Sequence, residues 1–212
     1  MRTTQAYAHL LAMGRPVVTS REAAARLRVP AHVAVKILNR LARDGVTIKV
    51  SHGVWALSGA IDPWLLPEHL TAPYPSYVST WSALYRHGMI DQIPREVYVV
   101  SLDRSKRVKT AVGTFVVQHV HPRLFGGFLI ADGAKVATPE KALFDTVYLA
   151  GARGRRFMRL PELELPPRFR DGAVLTWVRR IPSRRLRTLV GDRLQSLLAG
   201  ATRERRGGSL EL

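Results

Sequence analysis

The segment Thr138-Pro139-Glu140-Lys141, with Asp145 four residues beyond Lys141, puts a cation and a carboxylate on one helical face, where acid–base chemistry could use them. The same residue types also start a helix without any reaction. Thr138 caps it, Pro139 suits the first turn, and Glu140 is favourable beside the helix dipole. His119-x-His121 on a strand would place both imidazoles on one side, as a metal requires, but no third ligand is evident and no metal is expected. Gly151-Ala152-Arg153-Gly154-Arg155-Arg156 lacks the Lys-Ser/Thr that holds a Mg-nucleotide, and reads as a basic loop. Zero cysteines exclude thiolate catalysis, disulfide staples and Cys-based zinc sites. No catalytic residue and no cofactor is expected.

A different chemistry is written over residues 31–44. His32, Val35, Lys36, Asn39 and Arg43 recur at helical spacing and carry hydrogen-bonding groups without a carboxylate, while Ala34, Ile37, Leu38 and Leu41 form the opposite, inward stripe. In a major groove Asn reads adenine, Lys or Arg reads guanine, and Val35 could meet a thymine methyl. The residues expected to contact DNA are Ser20, Arg21, His32, Val35, Lys36, Asn39, Arg40, Arg43, Lys49 and His52, joined by Arg184, Arg185 and Arg187 near the C-terminus. A solvated face, or a face that docks another protein, is the alternative for the same pattern.

The charge balance fits a polyanionic partner. The 212 residues hold 33 Lys+Arg against 16 Asp+Glu, a formal net charge of +17. Of those cations 27 are Arg, a skew that GC-rich coding can also produce. The distribution is uneven, however: nine cations face two anions over residues 1–60, nine face eight over 61–150, and fifteen face six thereafter. Hydrophobic residues make up 46%, enough for a buried core, and no apolar run reaches the roughly 18 residues that span a bilayer. The first residues lack an h-region and cleavage site, so a cytoplasmic protein is expected.

The elements that must position these groups follow from capping and periodicity. Gln5 to Met13 predicts a helix stopped by Gly14. Thr19-Ser20-Arg21-Glu22 is a capping box opening a helix of small residues, Ala23, Ala24, Ala25 and Leu27, which permits close approach of the helix from Ala31 to about Asp44. Thr47 to Val50 and Val54 to Leu57 predict strands joined by Ser51-His52-Gly53. Helix-turn-helix plus hairpin is a winged helix, expected over residues 1–60. Four prolines between Ile61 and Ser76 predict an extended connector over 61–76. A mixed α/β domain with basic C-terminal helices is expected over 77–200: a helix from Ser79 to Arg86, strands at Val97 to Ser101, Thr114 to His121, Gly127 to Ala131 and Lys135 to Ala137, then a helix from the Thr138 motif. Residues 201–212 read as a flexible tail. The class is α+β.

These residues resemble the AbiEi antitoxins of type IV toxin-antitoxin systems, which join an N-terminal winged helix to an antitoxin domain. The resemblance covers most of the chain. It rests on Tyr77-Val78-Ser79 with Trp81-Ser82-Ala83-Leu84 and His87-Gly88-Met89, on Gln92-Ile93-Pro94, on Val97-Tyr98-Val99-Val100, and on His119 to Phe125. Ala137-Thr138-Pro139-Glu140-Lys141-Ala142-Leu143-Phe144-Asp145 is the most specific motif, and Ile181-Pro182-Ser183-Arg184-Arg185-Leu186 with Gly191 resembles the closing helix. The resemblance implies a repressor of its own operon that also counters a nucleotidyltransferase-like toxin without a stable complex. Some longer members carry further C-terminal sequence that this chain lacks. The expected partner is double-stranded operator DNA with repeated half-sites, bound by a monomer or weak dimer that pairs on DNA. The rival is an enzyme that modifies the toxin or a nucleotide through Lys141, Asp145 or the histidines.

Overall fold

A computed structural model describes residues 3–152 and 162–203. The N-terminal elements are α1 (Thr3–Leu11), β1 (Val17–Thr19), α2 (Ser20–Leu27), α3 (Ala31–Arg43), β2 (Ile48–Ser51) and β3 (Val54–Ala56). Thr19 and Glu22 form the capping box, the Thr19 hydroxyl accepting from the Glu22 amide and the Glu22 carboxylate accepting from the Thr19 amide. Arg28, in left-handed conformation, ends α2 and turns the chain into α3. The strands form an antiparallel sheet in the order β1-β3-β2. β1 was not expected from the sequence; Val17 and Val18 are β-branched, and pairing with β3 recruits them. Helix, turn, helix and hairpin have the arrangement compatible with a winged helix.

The proline-rich stretch is not extended. Pro63–Leu65 is a 3-10 turn and Pro67–Thr71 is α4. Each begins with proline, whose fixed φ suits a first helical turn, and the Asp62 carboxylate accepts from the Trp64 amide to start the first. Leu66 between them is buried. The stretch is thus a structural wedge rather than a linker.

The remaining chain forms β4 (Ser76–Val78), α5 (Thr80–Arg86), β5 (Val97–Ser101), β6 (Lys106–Thr110), β7 (Gly113–His119), β8 (Phe128–Ala131), β9 (Ala134–Ala137), α6 (Pro139–Ala152), β10 (Glu164–Leu165), α7 (Asp171–Arg179), α8 (Arg184–Gly200) and β11 (Thr202–Arg203). Six strands make one mixed sheet in the order β6-β7-β5-β4-β9-β8. The expected loop Gly151 to Arg156 lies largely outside the described residues, as does the tail beyond Arg203. Within the tail expected to be flexible, Thr202 and Arg203 pair in parallel with Glu164 and Leu165 instead.

Side-chain alternation stacks these elements in four layers. Trp55, Leu57 and Val18 point from the small sheet into a core with Ala6, Leu10, Leu27, Leu38 and Leu41 of the first three helices. Val17, Val50, Val54 and Ala56 point the other way and share a second core with Leu66 and with Val99, Phe115 and Val117 of the large sheet. Tyr77 and Val100, on the opposite face of that sheet, join a third core with residues of α5 to α8. The order is therefore α1–α3, small sheet, large sheet, then the C-terminal helices.

Candidate nucleic-acid interface

α3 divides as its periodicity requires. Ala34, Leu38 and Leu41 are buried, while His32, Lys36, Asn39, Arg40 and Arg43 are exposed. Asp44 is the first carboxylate, at the C-cap, and the helix itself has none. Two positions sit differently from expectation. Ile37 of the inward stripe is only half-buried, and Val35, expected to meet a base, is half-buried and packs against the winged-helix core. Val35 lies three residues before the buried Leu38, so it borders the inward stripe and its apolar side chain packs there.

The hairpin tip is tied to the start of α2. Gly53 takes a positive φ of 73° in the turn, and its carbonyl accepts from the Ser20 amide at 2.8 Å. The Ser20 hydroxyl accepts from the Trp55 indole at 2.9 Å, so one role of Ser20 is to hold the hairpin. His52, which precedes Gly53 in the turn, and Arg21, which follows Ser20, are both exposed. Lys49, exposed on β2, lies 5.7 Å above the Trp55 ring, which steadies its ammonium without neutralising it. Arg21, the α3 face, Lys49 and His52 all belong to the outer two layers.

Arg184, Arg185 and Arg187 are placed elsewhere. They occupy the first turn of α8, capped by Ser183, in the layer farthest from α3. All three are exposed, and Arg187 donates through Nε and Nη2 to the Ile181 carbonyl at 3.0 and 2.8 Å. Two sheets separate them from α3, so the structure does not bring the two basic groups together. Arg179 and Arg180, close to Arg187 in sequence, gather around it, and Arg123 joins them, a partner that sequence reasoning missed because it is remote in the chain.

The Thr138 motif folds as a helix start and closes on itself. The Thr138 hydroxyl accepts from the Lys141 amide. Lys141 and Asp145 are both fully buried, and Lys141 Nζ donates to Asp145 Oδ1 at 2.5 Å and to the Leu124 carbonyl at 2.7 Å. Tyr77 and Ser79 donate to Asp145 Oδ2. Burial pulls Lys141 down from its ordinary pKa and pushes Asp145 up, and their mutual contact opposes both shifts. The rings of Trp177 and Phe144 lie 4.4 and 4.8 Å from the same ammonium. Gly127 permits this close packing, since a Cβ there would stand 2.7 Å from Trp177. With its donors and acceptors partnered and shielded from solvent, the pair fits a structural role.

His119 and His121 do not share a strand face. β7 ends at His119, whose Nδ1 is 3.2 Å from the Asp103 carbonyl, whereas His121 caps the 3-10 turn Pro122–Leu124 by accepting from the Arg123 amide. Among the described residues no group of three or more His, Asp or Glu could hold a metal, and no helix is long and apolar enough to cross a membrane. No protein-family model matches the chain, and no curated protein matches it in sequence.

Proposed function

We propose that the protein is a cytoplasmic, DNA-binding autorepressor of the AbiEi antitoxin type, which silences its own operon and counters a nucleotidyltransferase-like toxin. The observation that carries the DNA-binding part is the exposed, carboxylate-free face of α3, with His32, Lys36, Asn39, Arg40 and Arg43 beside a hairpin bearing Lys49 and His52. A 13-residue helix of this charge, braced by a second helix, suits insertion in a major groove. Arg21 at the α2 start suits a phosphate contact. The antitoxin part is supported by the resemblance of residues 77–191, and by nothing that requires catalysis: the Lys141–Asp145 pair is closed to substrate in this conformation.

Fluorescence anisotropy with the promoter of its own gene tests the first part. Saturable binding that exceeds binding to shuffled DNA is the expected result, and equal affinity for both would sink it. Co-expression with the product of the neighbouring gene tests the second. Growth rescue by the wild-type chain, retained when α3 is stripped of its cations, would separate antitoxicity from repression.

A further inference from the structure

Four arginines converge on one cleft at the outer side of the C-terminal helices. Arg123 follows β7, Arg179 and Arg180 end α7, and Arg187 lies in the first turn of α8; with Ile181 and Pro182 they line a cavity of about 520 Å3. Among the described residues no carboxylate lines it. Among the described residues none of the four makes an ion pair.

Three of the four are nevertheless held in position. Arg180 stacks on Trp177 with 4.3 Å between its guanidinium carbon and the ring centroid. Arg179 donates to the Thr176 hydroxyl at 2.9 Å, and Arg187 is doubly bound to the Ile181 carbonyl. These tethers fix the guanidinium groups while leaving their charge uncompensated, which is preorganisation for an anion. Arg184 and Arg185 in the same α8 turn add cations beside the cleft. Such an arrangement is self-repelling when empty and relaxed when a polyanion enters.

The cavity is larger than one phosphate needs and falls in the range of small-molecule sites. Planar guanidinium forks pair bidentately with phosphoryl oxygens, so several in one cleft match several linked phosphates. The operator is not the ligand, because two sheets stand between this cleft and α3. We propose that the cleft binds a linear oligophosphate, the triphosphate of a free nucleotide or of an RNA 5′ end.

Isothermal titration of the full chain with tripolyphosphate is the test. One saturable site is expected, weakened at least about tenfold by Arg123→Gln with Arg180→Gln, since the two charge-assisted pairs lost are together worth that much or more. Arg123→Gln alone, on a turn and untethered, gives a smaller loss in the same direction and guards against a misfolded double variant. Competition by ATP or by an oligoribonucleotide carrying a 5′-triphosphate identifies the source, whichever displaces tripolyphosphate at lower concentration, and the 5′-hydroxyl oligoribonucleotide should not displace it. No saturable binding, equal binding by wild type and both variants, or displacement by duplex DNA would overturn the proposal.

Discussion

Lys141 and Asp145 face each other one helical turn apart, at 2.5 Å, with neither side chain exposed. Tyr77 and Ser79 reach Asp145 from another element, so the pair joins α6 to β4 and the loop after it. Removing one partner strands the other charge in the core. Asp145→Ala is expected to destabilise the protein by about 3–5 kcal/mol, and the double change Lys141→Met with Asp145→Leu by less than either single change. Urea midpoints of Asp145→Ala, of the double variant and of its two component single changes check this.

On the α3 face, Lys36→Ala and Asn39→Ala should each relax base discrimination by about 1–3 kcal/mol for a lost bidentate contact. Lys49→Ala should weaken all sequences alike and reduce the salt dependence of binding. Wild-type discrimination by a folded double variant at Lys36 and Asn39 would show that another face reads the bases. Anisotropy titrations against single-base operator variants supply the comparison.

His69, half-buried on α4, links the connector to the winged helix. Burial holds its pKa below the ordinary 6.5, against the raising pull of Glu22 and Glu68 and with a minor lowering by Arg15. Between pH 6.5 and the lower folded value the unfolded chain binds a proton that the folded chain refuses. The stability from neutral His69 is thus present above pH 6.5 and lost as the pH falls through that window. His69→Gln should flatten the pH dependence of the urea midpoint between about pH 7.5 and 5.5. An unchanged slope would remove His69 as its source.

Phe115 belongs to the large sheet yet is buried against Val17, Val50, Val54 and Ala56 of the small one. Phe115→Ala should cost about 3–5 kcal/mol, and should lower the melting point reported by Trp55 fluorescence in a background where Trp64, Trp81 and Trp177 are changed to Phe. Wild type should melt in one calorimetric transition. Two separate transitions in the wild type would mean that this shared core contributes little.

What could be read from the chain was local. The capping box at Thr19 and Glu22, the helix from Ala31 and the strand Val97–Ser101 are written in consecutive residues, and they fold as read. β6 was missed because Lys106 to Thr110 puts three cations around one valine, a pattern tolerated at a sheet edge and silent as a hydrophobic signal. The Lys141–Asp145 spacing was legible, but its burial depends on Tyr77, Ser79 and Trp177, distant in sequence. The connector misled because proline forbids helix interiors and favours helix starts, and only neighbouring Leu66 in a core decides between them. Of the arginine cleft, Arg179, Arg180 and Arg187 crowd within nine residues of sequence, whereas Arg123, remote in the chain, carried no signature pointing to it.

The double-sided small sheet bears on where this chain can be cut. Composition invites a boundary at Ala60, yet a fragment ending there would carry a sheet with Val17, Val50, Val54 and Ala56 bared to water on one side. Such a fragment would be prone to stick to itself, and any DNA affinity it showed would be tangled with aggregation. The winged-helix layer is better regarded as an attachment grown onto a larger foundation than as a detachable module, and shuffling it onto another body would require carrying the matching surface of Val99, Phe115 and Val117 along with it.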